Sequence, residues 1–294
     1  MNSPAKVQVK VDGRALTLSN LDKVLYPEYG FTKAEVIDYY SRVAPVLLPH
    51  LRGRPLTVKR YPNGVGGQSF FEKNAPDHTP SWVRRVKLPV PGSTKNRESI
   101  DFAVIEDLPT LVYYANLAAL ELHVPQWRVS AGGEALAPDT LVFDLDPGPP
   151  ATVVECCRVA LMLREVLAAD GLTAHPKTSG SKGMQLYADW DRREEPSAYA
   201  RRLARLLEKE HPEQVVSVMT KKARPGKVFI DWSQNNPAKT TVAPYSLRAR
   251  ELPTVSTPLT WTEVEGCERP DELVFTAHDV LARVEKRGDL FGRA

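Results

Sequence analysis

The run Thr140 to Asp146, TLVFDLD, constrains this chain more than any other feature, because its apolar side chains end abruptly in two carboxylates and then in Pro147-Gly148-Pro149-Pro150. An apolar stretch of this length bounded by a turn reads as a buried strand. Only a covered sheet accepts it. Asp144 and Asp146 stand at i and i+2, so their side chains leave one face of the strand at its carboxyl end. Two carboxylates placed there repel unless a cation holds them. Hard divalent ions, Mg²⁺ or Mn²⁺, take such oxygen ligands, and a pair of them ~3.5–4 Å apart transfers phosphoryl or nucleotidyl groups. An Asp before Pro-Gly is equally a turn former. A third acid adds weight to the metal reading: Asp231, in the apolar run Val228-Phe229-Ile230-Asp231-Trp232, is costly there without a partner.

Around this strand, short strands and helices alternate without a regular βαβ rhythm. Thr32 and Glu35 form a capping box ahead of Val36, Ile37, Tyr40, Val43, Leu47 and Leu51, which predicts a helix kinked at Pro45. Asp107 with Pro109 opens a second helix carrying Leu111, Tyr114, Leu117 and Leu122, followed by a strand from His123 to Val129. A long helix from Val153 to Ala169 ends at Gly171. Strands at Leu186 to Trp190, Val215 to Thr220 and Lys227 to Trp232 follow, with an amphipathic helix around Tyr199 to Glu210. The expectation is an α+β fold with a central, largely antiparallel sheet flanked by helices. Gly132-Gly133 is too short a break to separate two cores, so residues 1–294 read as one domain.

Composition bounds the function. No run of 18 apolar residues exists and the start, MNSPAKVQVKVDG, lacks the apolar stretch of a signal peptide, so a cytoplasmic protein without a membrane segment is expected. Cys156, Cys157 and Cys267 have no metal-ligand spacing, which speaks against structural zinc. The net charge of +3 is unevenly spread: residues 82–97 carry five basic side chains and no acid, and residues 221–250 carry seven basic and one acidic. Residues 1–60 are also basic, whereas 251–294 are acidic. Basic blocks interleaved with Phe70, Phe71, Trp82 and Trp232 suit a polyanion whose bases stack on rings; they are equally a solvated surface.

Other constellations have two readings each. Thr178-Ser179-Gly180-Ser181-Lys182-Gly183 lies between two strands, and its small residues, hydroxyls and lysine suit an anion, although it lacks the Walker A spacing and an ordinary hairpin explains its glycines. Lys23 and Lys33 bracket a turn that leads into the capped helix, where a monophosphate would find free N–H groups; solvated lysines are the plainer reading. Adjacent Phe70 and Phe71 cannot both face one core, so one should project outward. His123, without a neighbouring His or Cys, reads as hydrogen-bonded rather than metal-bound.

Taken together, LSNLDKVLYPEYGFTKAEVIDYY, KRYPNGVGGQSFFEK, LELHVPQWR, LVFDLDPG, KTSGSKGMQLY, KVFIDWSQN and KTTVAPYSLRAR resemble the polymerase domain of bacterial ligase D and its stand-alone relatives, within the archaeo-eukaryotic primase superfamily. The resemblance spans nearly the whole chain and implies a primase-polymerase fold. It implies that Asp144, Asp146 and Asp231 hold two metal ions, Mn²⁺ or Mg²⁺, and that Ser179, Lys182 and Arg248 contact an incoming triphosphate. Lys59, His123 and Gln234 would line the nucleotide pocket. Asn20, Lys23 and Lys33 would bind a downstream 5′-phosphate, with Phe70 and Phe71 supporting the template. The implied activity is template-directed addition of NTPs, and less well dNTPs, to DNA with gaps or 3′ overhangs during gap filling or end joining, with Ku and a DNA ligase as partners. End bridging by loop 84–101 is implied less firmly, because that loop differs from its family counterpart. Two rivals remain at this level. D-x-D-x-G also opens haloacid-dehalogenase-like phosphatases, though here more than 140 residues precede it, and a non-catalytic DNA end-binding module would carry the same basic blocks.

Overall fold

The computed structural model describes residues 6–90 and 98–292. Two sheets carry the site. The first has five strands in the order His175–Thr178, Met184–Asp189, Thr140–Pro147, Val228–Asp231, Val215–Val216. All its pairings are antiparallel except the last, which is parallel. Strand Thr140–Pro147 is central, and its two-residue period divides it cleanly. Leu141, Phe143 and Leu145 are buried against helices α3 (Val153–Ala169) and α4 (Pro196–Glu210). Val142 belongs to the other core, and Asp144 and Asp146 leave on its side. Helix α4 buries Tyr199, Ala200, Leu203, Ala204 and Leu207, one helical stripe, and turns its charged residues outward.

The second sheet has the order Thr241–Val242, Ala119–Val124, Thr57–Arg60, Phe70–Glu72, all antiparallel. Leu120, Leu122, Val124 and Val58 pack on the core shared with α1 (Lys33–Leu51) and α2 (Leu108–Asn116). The alternate residues, Lys59, Phe71, Glu121 and His123, face the other way. The capping box of α1 is formed: Glu35 N–H donates to Thr32 Oγ1, and Glu35 Oε2 accepts from the Thr32 N–H at 2.7 Å. The two sheets meet where the Tyr187 hydroxyl donates to Thr241 Oγ1 at 2.7 Å. A short helix, α5 (Trp261–Glu265), and α6 (Ala277–Arg287) follow; beyond them Asp289 pairs with His50 at 3.0 Å, and Phe291 is fully buried.

The α+β expectation holds, with two sheets in place of one central sheet. Helices α1 and α3 lie where the sequence placed them, and α1 continues through Pro45 and Pro49. The expected strand His123 to Val129 is instead two, Ala119–Val124 and Trp127–Val129, since Pro125 lacks the ladder N–H; Leu122 is therefore a strand residue. Val215 to Thr220 shortens to Val215–Val216 before a basic turn. Gly132-Gly133 is the tip of a hairpin, with Gly133 N–H donating to Ser130 O at 3.0 Å. Within loop 84–101, expected to bridge DNA ends, Arg85–Pro89 pairs antiparallel with Ser99–Ala103; residues 91–97 of that loop lie outside the described residues. Among the described residues no helix is long and apolar enough to cross a membrane.

Candidate active site

The ladder register aligns four polar residues in a row across the first sheet: Lys177 opposite Gln185, Gln185 opposite Asp144, and Asp144 opposite Asp231. Asp146 is one step further along, opposite Phe229. Burial, then the charges of Asp146 and Asp231, hold the Asp144 carboxyl well above the usual range, against the hydrogen bond from Gln185 Nε2 to its Oδ1 at 3.0 Å. Burial and Asp231 raise Asp146 as well, with Arg224 opposing. Mutual repulsion of this kind is relieved by a cation. Asp231 caps the 3₁₀ turn Trp232–Asn235: Oδ1 accepts from the Ser233 N–H at 3.0 Å and from its hydroxyl, and Oδ2 accepts from Gln234 Nε2 at 2.8 Å. Among the described residues no three His, Cys, Asp or Glu side chains are drawn together closely enough to hold a metal ion by themselves. The donor set nonetheless fits a hard ion, since Asp231 Oδ2 and Asp144 Oδ1 each take one donor and keep a second lone pair, and Asp146 is exposed.

The loop after Thr178 is a hairpin wound on Ser179, whose Oγ accepts from the N–H groups of Ser181 and Gly183, both at 3.2 Å. Lys182 stands exposed at its tip. Gly183 permits a close approach: a Cβ there would lie 2.0 Å from Leu145 O, so only glycine lets the loop rest on strand Thr140–Pro147. The loop flanks a cavity of about 590 Å³ lined by Lys182, Arg250, Glu28 and Val65, among others.

From this loop a chain of contacts crosses to the second sheet. Arg248 donates to Ser179 O, and its Nε lies 3.3 Å from Glu121 Oε1, an ion-pair distance but not in line for a hydrogen bond. Glu121 accepts from His123 Nε2 at 2.9 Å and from the Ala249 N–H at 3.1 Å. Although burial works the other way, these partners hold the Glu121 carboxyl down at about 2, so it is a carboxylate. It can only accept, which places the His123 hydrogen on Nε2. Burial depresses the imidazole below its ordinary value, so at neutral pH Nδ1 is an open acceptor. The ring packs edge-on against Phe71 at 5.6 Å, and Lys59 Nζ lies 5.4 Å from that same ring. Lys59, His123, Ser179, Lys182 and Arg248 therefore belong to one connected surface. Gln234 sits apart from them, on Asp231.

Lys23 and Lys33 form the second locus. Lys33, the first residue of α1, is 5% exposed and donates to Ser19 O at 2.6 Å. Burial, then Lys23 and Arg60, lower its pKa to about 8. The plain reading of both lysines as solvated is corrected: one is buried, and three cations share the spot. Lys23 donates to Asn63 Oδ1 at 2.9 Å, and Asn20 turns the chain beneath it with φ +53°. The expectation for Phe70 and Phe71 is corrected too. Both are exposed, 42% and 56%, because Phe70–Glu72 is an edge strand; Arg60 stacks on Phe70 at 5.3 Å.

Sequence reasoning missed Glu121, Lys177, Gln185, Arg60 and Arg224. Only Arg60 and Arg224 left a trace, inside basic blocks. The others are polar residues within strand patterns, and their partners, such as Arg248 and Ser256, lie far along the chain.

Carboxylates in register beside a basic hairpin, with rings and lysines on the adjoining sheet, define a nucleotide-polymerising enzyme. The model of the LigD primase-polymerase domain family matches residues 32–291, and the chain belongs to that family, whose members are metal-dependent polymerases. It is 45% identical to the multifunctional non-homologous end joining protein LigD of Mycolicibacterium smegmatis over 93% of this chain and 35% of that protein. It is 34% identical to the bifunctional LigD of Bacillus subtilis, over 93% and 43%. The chain thus spans well under half of these relatives' length. Its fold is similar to that of the polymerase domain of Mycobacterium tuberculosis ligase D in complex with DNA, with a TM-score of 0.87, 43% identity, and coverage of 94% of this chain and 96% of the other.

Proposed function

We propose that this chain, read as one domain over 1–294, adds nucleotides to DNA 3′ ends in template-directed gap filling or end joining, with ribonucleotides preferred and a downstream 5′-phosphate recognised. The observation that carries the reading is the register pair Asp144–Asp231 with Asp146 beside it, set against the Ser179–Gly183 hairpin. Asp144, Asp146 and Asp231 would hold two Mn²⁺ or Mg²⁺ ions, which when bound supply Lewis acidity at the α-phosphate and at the primer hydroxyl. Around them the protein positions. Lys182 and Arg248 take the triphosphate, and Arg248 is fitted for it, since its Nε–H is buried without a hydrogen-bond partner among the described residues. Ser179 shapes the loop, and His123, Lys59 and Gln234 bound the nucleotide. Lys23, Lys33 and Asn20 take the 5′-phosphate, with Arg60 adding field, and Phe70 and Phe71 offer two exposed faces to template bases. End joining is the process named for the relatives, and Ku and a DNA ligase are partners on that basis alone.

The test is primer extension with Mn²⁺ on a gapped duplex, comparing NTPs with dNTPs and a 5′-phosphate with a 5′-hydroxyl. Incorporation should favour NTPs and the phosphorylated gap, and Asp144→Ala or Asp146→Ala should abolish it while DNA binding survives. Near-normal extension in either variant would remove the carboxylates from the chemistry.

A further inference from the structure

Lys177 is fully buried, and its hydrogen-bond partners among the described residues are neutral. Nζ donates to Gln185 Oε1 at 2.5 Å and to Ser256 Oγ at 2.6 Å, and it stands 5.3 Å from the centre of the Tyr187 ring. Taking an amino group out of water with no carboxylate against it is expensive. Core packing alone gives no reason for a lysine here, where a methionine fills similar space. The reason lies one residue along the row. The Tyr187 hydroxyl lies 3.3 Å from Gln185 Oε1, but its one hydrogen goes to Thr241 Oγ1 at 2.7 Å. The lysine on Gln185 Oε1 is therefore what decides which way the amide points, so Nε2 faces Asp144, where it donates to Oδ1. A flipped amide would set its NH₂ against the lysine and its oxygen against the carboxylate.

We propose that Lys177 is a positioning residue for the metal-binding carboxylate of Asp144, acting through Gln185. The lysine locks the amide, the amide occupies Oδ1, and Oδ2 would be left for the cation. Two N–H donors suffice, and the amine has them in either protonation state. This inference rests on the metal reading above.

The test is a Mn²⁺ titration of the free protein, followed by the electron paramagnetic resonance signal of unbound Mn²⁺, for wild type, Lys177→Met, Gln185→Leu, the double variant and Asp144→Asn. Each single change in the relay should weaken Mn²⁺ binding about tenfold or more, the usual effect of removing a ligand's orienting partner. The double variant should bind no worse than the weaker single, because both act on one bond. DNA affinity should stay at the wild-type value. A folded Lys177→Met protein with wild-type Mn²⁺ affinity overturns the inference, even if it melts at a lower temperature, and so do additive losses in the double variant. Where Lys177→Met does not fold, Gln185→Leu decides: unchanged Mn²⁺ affinity there overturns it. Weakened binding in Asp144→Asn but not in the relay variants leaves the metal reading standing alone. Unchanged binding in Asp144→Asn overturns both.

Discussion

Two buried charges show how single residues here serve others. Glu121, 5% exposed, holds Arg248 and His123 at once, so Glu121→Gln should raise the KM for NTP several-fold by loosening both. It should also destabilise. The carboxyl lies at about 2 in the folded chain against an ordinary 4.5, so its contribution is fully present above pH 4.5 and is lost as pH falls toward 2. Two and a half units correspond to roughly 3 kcal/mol at most, and urea midpoints of wild type and variant should converge across that window. Lys33 carries the opposite sign. Its amine titrates at about 8 when free, and a dianionic phosphate would draw the proton back. The preference for a 5′-phosphate over a 5′-hydroxyl should therefore fall from pH 7 to pH 9, and Lys33→Ala should abolish that dependence, as fluorescence anisotropy at constant salt would record. An unchanging preference would place the phosphate elsewhere. Glu121's role was not legible in the sequence, where it looks like any polar residue of a strand; Lys33 could be read as a phosphate candidate, but its burial could not, because it depends on the Ser19 carbonyl it reaches and on the nearby charges of Lys23 and Arg60.

At the scale of elements, what could be read ahead was whatever is local. Capping boxes, the Pro-Gly stop and the D-x-D strand declare themselves within a few residues, and so did Asp231, since an acid ending an apolar run contradicts its own neighbourhood. Pairing is not local. Nothing in KTSGSKG says that its strand lies two strands from Asp231's neighbour, or that its loop leans on Leu145. That contact makes a prediction. Gly183→Ala puts a Cβ 2.0 Å from Leu145 O, a backbone atom, so the hairpin must lift away; a loss of about 1–3 kcal/mol is expected. The KM for NTP should rise beyond what the stability loss explains, because Lys182 moves with the hairpin. Gly132→Ala, whose Cβ would meet only Ser130 Oγ at an ordinary 3.6 Å, is the control and should leave urea midpoint and KM alike unchanged. Equal behaviour of the two variants would show that the loop's seat is dispensable.

In the whole molecule the two sheets and the last residues lock together around one aromatic. Phe291, fully buried, meets Tyr187 at 5.3 Å and His50 at 5.6 Å, and Tyr187 is the side chain that ties the sheets through Thr241. Phe291→Ala should cost about 3–5 kcal/mol, and urea unfolding followed by tryptophan fluorescence should show it as one earlier transition in which extension activity is lost with the fold. Two separated transitions would mean that the sheets stand independently. The parity of strand Thr140–Pro147 has a different consequence. Leu141, Phe143 and Leu145 leave one face and Asp144 and Asp146 the other, so sliding the strand by one position would thrust two carboxylates among the aliphatic side chains of α3 and α4 and turn Phe143 and Leu145 toward the polar row. A misaligned chain has nowhere stable to rest. Refolded preparations should accordingly contain competent enzyme and unfolded polymer, with no native-looking but inert isomer between them.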